Sequence, residues 1–367
     1  MKIESRFSDI FSELKDHRMN RTKLHSLENI MFISLAAVIS GAETWNEIEE
    51  FGNEKLDWLT KYLDLPNGIP SHDTFNRFFS TMDPDNFEAV FRKWISSLGI
   101  ESKGDIVSID GKSIRGAKTG PTSAIHMVSA WSKNGGITLG QVKTPNKGSE
   151  LRAIPELLDV LFLDGSIVTL DALGAVSSIA EKIIDKNADF ILQVKKNRYQ
   201  VAIDIEAAFG NHTPNSTFES VGKEHGRIEK RVISVIYSPE LIRKSEAWKN
   251  LRSLVRVESE TLNVASGLVE TSTAYYITSL GTDAKHIGSA IRSHWGIENS
   301  LHWMLDVAFS EDRGRKRNHN AVVNFSLINK IALEMLRKEN SKKIGVKSRR
   351  LKSAWSTSYL QKVLGIK

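Results

Sequence analysis

The chain has 367 residues, 40% hydrophobic and 26% charged, with 24 Gly, 8 Pro and no Cys. These proportions exclude a fibrous repeat and a disordered chain, and the lack of Cys excludes disulfides, thiolate zinc sites and cysteine nucleophiles together. The net charge of +6 conceals an asymmetry: residues 313–367 hold 15 Lys/Arg against 2 Glu, net +13, while residues 1–312 hold 35 basic against 42 acidic residues, net −7.

An acidic body with a basic C-terminal segment suits a polyanion, most simply nucleic acid; a solvated tail is the alternative. The longest apolar run, residues 30–39 with Ser34 inside it, is about half of the roughly 20 residues a membrane-spanning helix needs. The first 15 residues hold no signal-peptide core. A soluble cytoplasmic protein is expected.

In chain order, residues 1–98 read as a helical domain. Residues 24–39 are mostly apolar over a helix length, and Trp45, Ile48, Phe51, Leu56, Leu59 and Tyr62 recur at helical spacing. Pro66-Asn67-Gly68 and Pro70 mark a turn, and Ser71 is a suitable N-cap for a helix over 72–81 whose polar face carries His72, Asn76 and Arg77. A turn before a short capped helix is compatible with a DNA-reading helix-turn-helix and equally with a plain packing module.

From residue 104 the pattern changes. Residues 105–109 form a β-rich run ending at Asp110, and runs at 127–131 and 137–142 flank the hairpin signal Lys133-Asn134-Gly135-Gly136. A helix over 150–163 containing Pro155 follows, then a strand over 166–170 ending at Asp171. A helix at 177–186, a strand at 190–194 and a helix at 199–209 come next. Strands followed by strand–helix alternation predict a mixed sheet flanked by helices. Residues 217–280, with β-type runs at 231–237, 251–257 and 273–279, read as an antiparallel insertion. Helices are expected over 283–310 and about 321–338, with a basic tail at 339–367.

Asp110 and Asp171 each close an apolar strand, where open α/β sheets place their ligand crevice. Gly111 and Gly174 follow them and permit close approach. Singly, each Asp reads equally as a turn residue. On a helical wheel Ile287, Ile291, Leu305 and Phe309 fall within about 20° of Glu298, which places that carboxylate in an apolar stripe. A carboxylate there must be paired, protonated or coordinated. Three converging carboxylates describe a hard-cation site, and two such ions about 4 Å apart support in-line phosphoryl displacement. Other motifs fail. Gly111-Lys112-Ser113 lacks the upstream Gly of a phosphate-binding loop, His294, Glu298 and His302 lack zinc-protease spacing, and no nucleophile elbow is present.

The blocks Ser108-Ile109-Asp110-Gly111-Lys112, Val168-Thr169-Leu170-Asp171-Ala172 and His294-Trp295-Gly296-Ile297-Glu298-Asn299-Ser300-Leu301-His302-Trp303 resemble those of bacterial insertion-sequence DDE transposases. The likeness is to the group that includes the H-repeat-associated proteins. Residues 305–312, 68–75 and His225-Gly226-Arg227-Ile228-Glu229 extend it over roughly residues 5–340. The resemblance implies an RNase-H-like catalytic domain over 104–338 with the β insertion before Glu298. It implies Mg²⁺, two ions with Mn²⁺ able to substitute, on Asp110, Asp171 and Glu298. The implied activity is cutting and joining of double-stranded DNA at element ends and targets, by a homodimer when DNA-bound. Arg292 stands six rather than four residues before Glu298, and Leu305 takes the place of a Lys seven after it. Members of the group are often remnants, so a catalytically inactive DNA-binding protein is one alternative; a nuclease without strand joining is another. Candidate phosphate contacts are Lys112, Arg115, Lys195, Lys196, Arg227 and Arg292. His302 is a candidate to orient the nucleophile or touch phosphate, or else a packed histidine.

Overall fold

A helix apolar on every side belongs in the middle of a core. The computed structural model, which describes residues 11, 13–18, 23–117, 124–144, 147–224 and 226–366, buries all of Asn29 to Ile39 in helix α1 (Leu27–Ile39). Around it lie α2 (Trp45–Glu54), opened by a Thr44–Glu47 capping box, the short α3 (Leu56–Leu59), α4 (His72–Thr81) and α5 (Pro84–Ser97). Ser71 caps α4 as expected, its side chain accepting from the Thr74 amide, and the helix buries Phe75, Phe78 and Phe79. On its polar face Asn76 and Arg77 are exposed, while His72 Nδ1 lies 2.7 Å from Glu49 Oε2 on α2.

The second layer system is a nine-stranded sheet flanked by helices. In chain order its elements are β1 (Ile106–Ile114), β2 (Ile125–Ser132), β3 (Ile137–Thr144), α6 (Glu150–Val160), β4 (Ile167–Leu170), α7 (Ser177–Asp185), β5 (Asp189–Val194), α8 (Tyr199–Asn211), β6 (Ser216–Glu224), β7 (Arg227–Ile236), β8 (Ser253–Asn263) and β9 (Val269–Thr278). The strand order is β3-β2-β1-β4-β5-β9-β8-β7-β6. β1, β4 and β5 are mutually parallel and every other pairing is antiparallel. Because side chains alternate along a strand, Val107 and Ile109 pack on one face with Leu157, Leu158, Ile179 and Ile183 of α6 and α7. Ile106, Ile167 and Ile191 pack on the other with Ile287, Ala290 and Ile291 of α9 (Ala284–Gly296).

One expectation changes here. β1 does not end at Asp110: its pairing with β4 stops at Ile109, but its pairing with β2 continues to Ile114. The antiparallel insertion continues the same sheet, since β9 pairs with β5 and carries β8, β7 and β6 outward. β6 reads Ser-Thr-Phe-Glu-Ser-Val-Gly-Lys-Glu, too polar to register as a strand from its pattern. The base of this arm is buried, whereas the first five residues of β9, at its far end, are exposed. His225, between β6 and β7 in sequence, lies outside the described residues.

The basic C-terminal residues are folded, which corrects the expected tail. After α10 (Trp303–Phe309) and α11 (His319–Lys338), the chain forms α12 (Val346–Trp355) and α13 (Thr357–Leu364). Leu360, Val363 and Leu364 join one apolar cluster with α1, α4, α5 and α11. The Arg350 guanidinium is buried. It donates to Val38 O (2.8 Å), at the C-terminal end of α1, and to Ala308 O at that of α10, satisfying carbonyls a helix end leaves free. Arg349 donates to Leu336 O and Glu339 O at 2.6 Å, closing α11 in the same way. The N-terminal helices and the C-terminal helices thus share one core. Among the described residues no helix is long and apolar enough to cross a membrane.

Candidate active site

The parallel ladder of β1 and β4 ends with the pair Ile109–Leu170, so the next residues, Asp110 and Asp171, leave it side by side. On β1, Ser108, Asp110 and Lys112 alternate with Ile109 and Gly111 and therefore face the side covered by the helical segment 284–309. That segment is not the uniform α-helix expected over 283–310. Between α9 and α10, residues Ile297–His302 form a π-helical turn, a wide turn found often at functional sites.

The wide turn overturns the wheel placement of Glu298. Ile297, Leu301, Leu305 and Phe309, spaced by four, are buried in the core around α1. Ile287 and Ile291 belong to a different cluster, against the sheet. The single stripe computed with about 100° per residue is two stripes, and Glu298 lies on neither: it is exposed and lines a cavity. That cavity, of about 260 Å³, is also lined by Asp110, Asp171, Thr169, Gln193, Lys195, Tyr276, Ile291, His294 and Trp295. The three predicted carboxylates therefore share one cavity. Among the described residues, however, no group of three His, Cys, Asp or Glu side chains is gathered closely enough to hold a metal ion as it stands.

The same helical segment contacts both β1 and β4. Thr169 donates to Ser108 Oγ (3.2 Å) and lies 2.9 Å from His294 Nδ1. His302 Nδ1 is 3.4 Å from Asp110 Oδ2. Burial opposes ionisation of Asp110, but the His302 contact and the Gly111 amide outweigh it and hold the carboxyl below the usual range. Asp171 is pushed upward, by burial and by the Asp110 charge beside it, although its Oδ1 accepts from the Leu173 amide at 3.0 Å. Burial lowers the His294 imidazole against the pull of Asp110, Asp171 and Glu298.

Two residues beyond Asp110, Lys112 is 10% exposed and its ammonium meets Asp306 (2.7 Å), Asp312 (3.1 Å) and Glu311 (3.3 Å). Burial alone would lower its pKa; the three carboxylates outweigh that and hold it above the usual lysine range. Lys112 is thus a structural cation and not a free phosphate contact, which corrects the expectation. Lys195 lines the cavity and Lys196 is exposed beside it. Arg115 is exposed, 3.7 Å from Asp312. Arg292 reaches Glu229 on β7 (3.3 Å) and its guanidinium lies 5.8 Å from the Trp295 ring centroid. Arg227 is exposed at the start of β7, on the arm and outside the cavity lining.

Sequence reasoning missed the support behind β1. His126 on β2 and Glu150 at the start of α6 are buried, 2.5 Å apart, and Ser113 Oγ is 2.9 Å from His126 Nδ1. A Cβ on Gly111 would collide with both His126 and Glu150. The glycine therefore makes room for a buried pair on the face opposite Asp110, not for substrate. Asn197 donates to Ala172 O (2.7 Å) and Arg198 to Ala175 O (2.7 Å), fixing the loop after Asp171. Thr169, a polar residue inside the buried run Ile-Val-Thr-Leu, was the one available signal.

The Transposase DDE domain family matches residues 101–335, and a second family, described as DDE_Tnp_1-associated, matches residues 8–95. The chain is 42% identical over 374 residues to "Putative transposase YncI" of Escherichia coli O157:H7, covering 99% of this chain and 95% of that one. It is 37% identical over 362 residues to "H repeat-associated putative transposase YhhI" of Escherichia coli K12, covering 96% of each. A shorter match, 48% identical over 65 residues, covers 18% of this chain and 77% of "Inactive transposase YbfQ" of the same strain.

Proposed function

The chain belongs to the bacterial DDE transposase family, and we propose that the cavity between β1, β4 and the π turn is an active site for metal-dependent phosphoryl transfer on DNA. The observation that carries this reading is the placement of Asp110 and Asp171 side by side at the end of a parallel ladder, with Glu298 on the same cavity. Among the described residues no Lys or Arg forms an ion pair with any of the three. The strand order β3-β2-β1-β4-β5 supports an RNase-H-like core extended by the insertion arm.

The donor set consists of carboxylate oxygens, which suits Mg²⁺ or Mn²⁺. Asp110, Asp171 and Glu298 would hold the cation, whose chemistry when bound is to activate a hydroxyl nucleophile and stabilise the leaving oxygen. The protein's own part is positional. His302 orients the Asp110 carboxylate, and the Leu173 amide orients that of Asp171. The Thr169–His294 contact ties α9 to the sheet. Lys195, which lines the same cavity, offers a charge to the phosphate. The substrate is double-stranded DNA, element ends and target, handled by a cytoplasmic homodimer assembled on it.

A second reading, a DNA-binding remnant without catalysis, draws on the exposure of Glu298 and on the looseness of the three carboxylates. A cleavage assay with Mg²⁺ or Mn²⁺ on DNA carrying candidate element ends separates the readings. Cleaved and rejoined strands, lost in Asp110→Asn, Asp171→Asn and Glu298→Gln, support a transposase. Cleavage without joining supports a nuclease, and intact DNA binding with no cleavage supports the remnant.

A further inference from the structure

Beyond Asp312 the chain runs through Arg313-Gly314-Arg315-Lys316-Arg317 before α11 begins. Burial alternates along it: Arg313, Arg315 and Arg317 are exposed, while Gly314 and Lys316 are half-buried. Arg313 ends the 3-10 turn Glu311–Arg313 and residues 314–317 continue without regular structure, and the alternating exposure leaves all three guanidinium groups outside.

The inward residues are clamped. A Cβ on Gly116, just past the end of β1, would collide with the Gly314 carbonyl, so two backbones interlock there. Lys316 donates to Glu43 O (2.7 Å) and its ammonium sits 3.4 Å from the centre of the Phe325 ring, a cation–π contact. Among the described residues none of the three arginines forms an ion pair, although the body of the protein is acidic and their neighbours Glu311 and Asp312 are engaged by Lys112. The segment also joins two other surfaces. Asp312 contacts Lys112, two residues along β1 from Asp110. At its other end, Asn324 of α11 donates to Phe79 O of α4 (2.9 Å), whose outer face exposes Arg77.

We propose that Arg313, Arg315 and Arg317 form a rigid comb that grips the sugar-phosphate backbone of duplex DNA between the cavity and α4. This rests on the reading of the cavity as a DNA-processing site. Arginine suits the role because its planar fork pairs with phosphate oxygens. A comb held by its inward residues presents three such forks without first having to order a loop. Contacts of this kind position DNA without reading its sequence.

The test is duplex binding by the full chain, followed by fluorescence anisotropy across a salt series without metal. Each neutralised phosphate adds about 0.9 to the slope of log affinity against log salt. The triple variant Arg313→Gln, Arg315→Gln, Arg317→Gln should therefore lose about 2.7 from that slope, on duplexes of any sequence. The corresponding triple Lys variant, which keeps the charges, should retain most of it. The assay contains no metal and reads no cleavage, so a failure of the catalytic reading leaves this readout intact. A triple Gln variant with an unchanged slope and a wild-type melting temperature overturns the comb, as does a wild-type chain that binds no duplex.

Discussion

Asp110 and Lys112 lie two residues apart on the same face of β1, and each meets side chains carried by the segment 298–312. Around Lys112, the carboxylates of Asp306, Glu311 and Asp312 close on a buried ammonium. Around Asp110, the carboxylates of Asp171 and Glu298 border an open cavity, and the nearest partner is an imidazole. The first group holds its cation within the protein, although one ammonium does not balance three carboxylates and Asp306 is still pushed up by burial against the pull of Lys112. The second keeps like charges together, which is why Asp171 is pushed up by burial and by Asp110. Acidic residues of the same chain thus divide into a structural knot and a candidate ligand site according to whether the protein supplies the cation.

Removing that internal cation should have the largest effect. Lys112→Met leaves Glu311 and Asp306 without a cation in contact, while Asp312 keeps Arg115, and should cost about 3–5 kcal/mol in urea unfolding. A loss below about 1 kcal/mol would mean that the knot behaves as a surface ion pair. Next comes Gly111→Ala, whose methyl meets the His126–Glu150 pair behind Asp110. Overpacking of this kind costs about 1–3 kcal/mol and should also depress cleavage, since the displaced strand carries Asp110.

Glu334 on α11 supplies a third case, a carboxylate with neither a close lysine nor a cavity. Burial pushes it up to about 8, against the opposing pull of Arg337 and the Thr138 amide. The native state therefore holds a proton that the unfolded state has lost, and stability should fall as pH rises from about 4.5 through about 8. Glu334→Gln should flatten that part of the profile, measured as unfolding free energy at stepped pH. The smallest effects should come from the cavity: Asp171→Asn and Glu298→Gln should change metal-free stability by less than about 0.5 kcal/mol, with Asp171→Asn the more stable of the two because it removes a repulsion. Destabilisation of several kcal/mol by either would place that carboxylate in a structural role like that of Lys112's partners.

Much of this division was legible in the sequence and some of it was not. The apolar runs before Asp110 and Asp171 located both residues at the end of a ladder, because burial on two faces demands continuous hydrophobicity. The helix 72–81 and its Ser71 cap were legible for a local reason, a side chain reaching an amide three residues on. The environment of Lys112 was not, since its partners lie about 200 residues away in sequence and only the fold brings them together. Nor was the His126–Glu150 pair, since only the packing of α6 on the sheet brings the two side chains together. The π turn left a signal that a fixed helical angle conceals: Ile297, Leu301, Leu305 and Phe309 recur every four residues, longer than the α-helical 3.6. The C-terminal charge was read as a tail because composition counts lysines and ignores Leu360, Val363 and Leu364, whose i, i+3, i+4 spacing already marks a packed helix.

The claim that the cavity awaits a cation while the knot does not is tested most directly by calorimetric titration of metal-free protein with Mn²⁺. The wild type should bind it, Asp110→Asn and Asp171→Asn should each weaken binding at least tenfold, and Asp306→Asn should bind like the wild type. Undiminished binding in the two aspartate variants, or no binding by the wild type, would contradict the account.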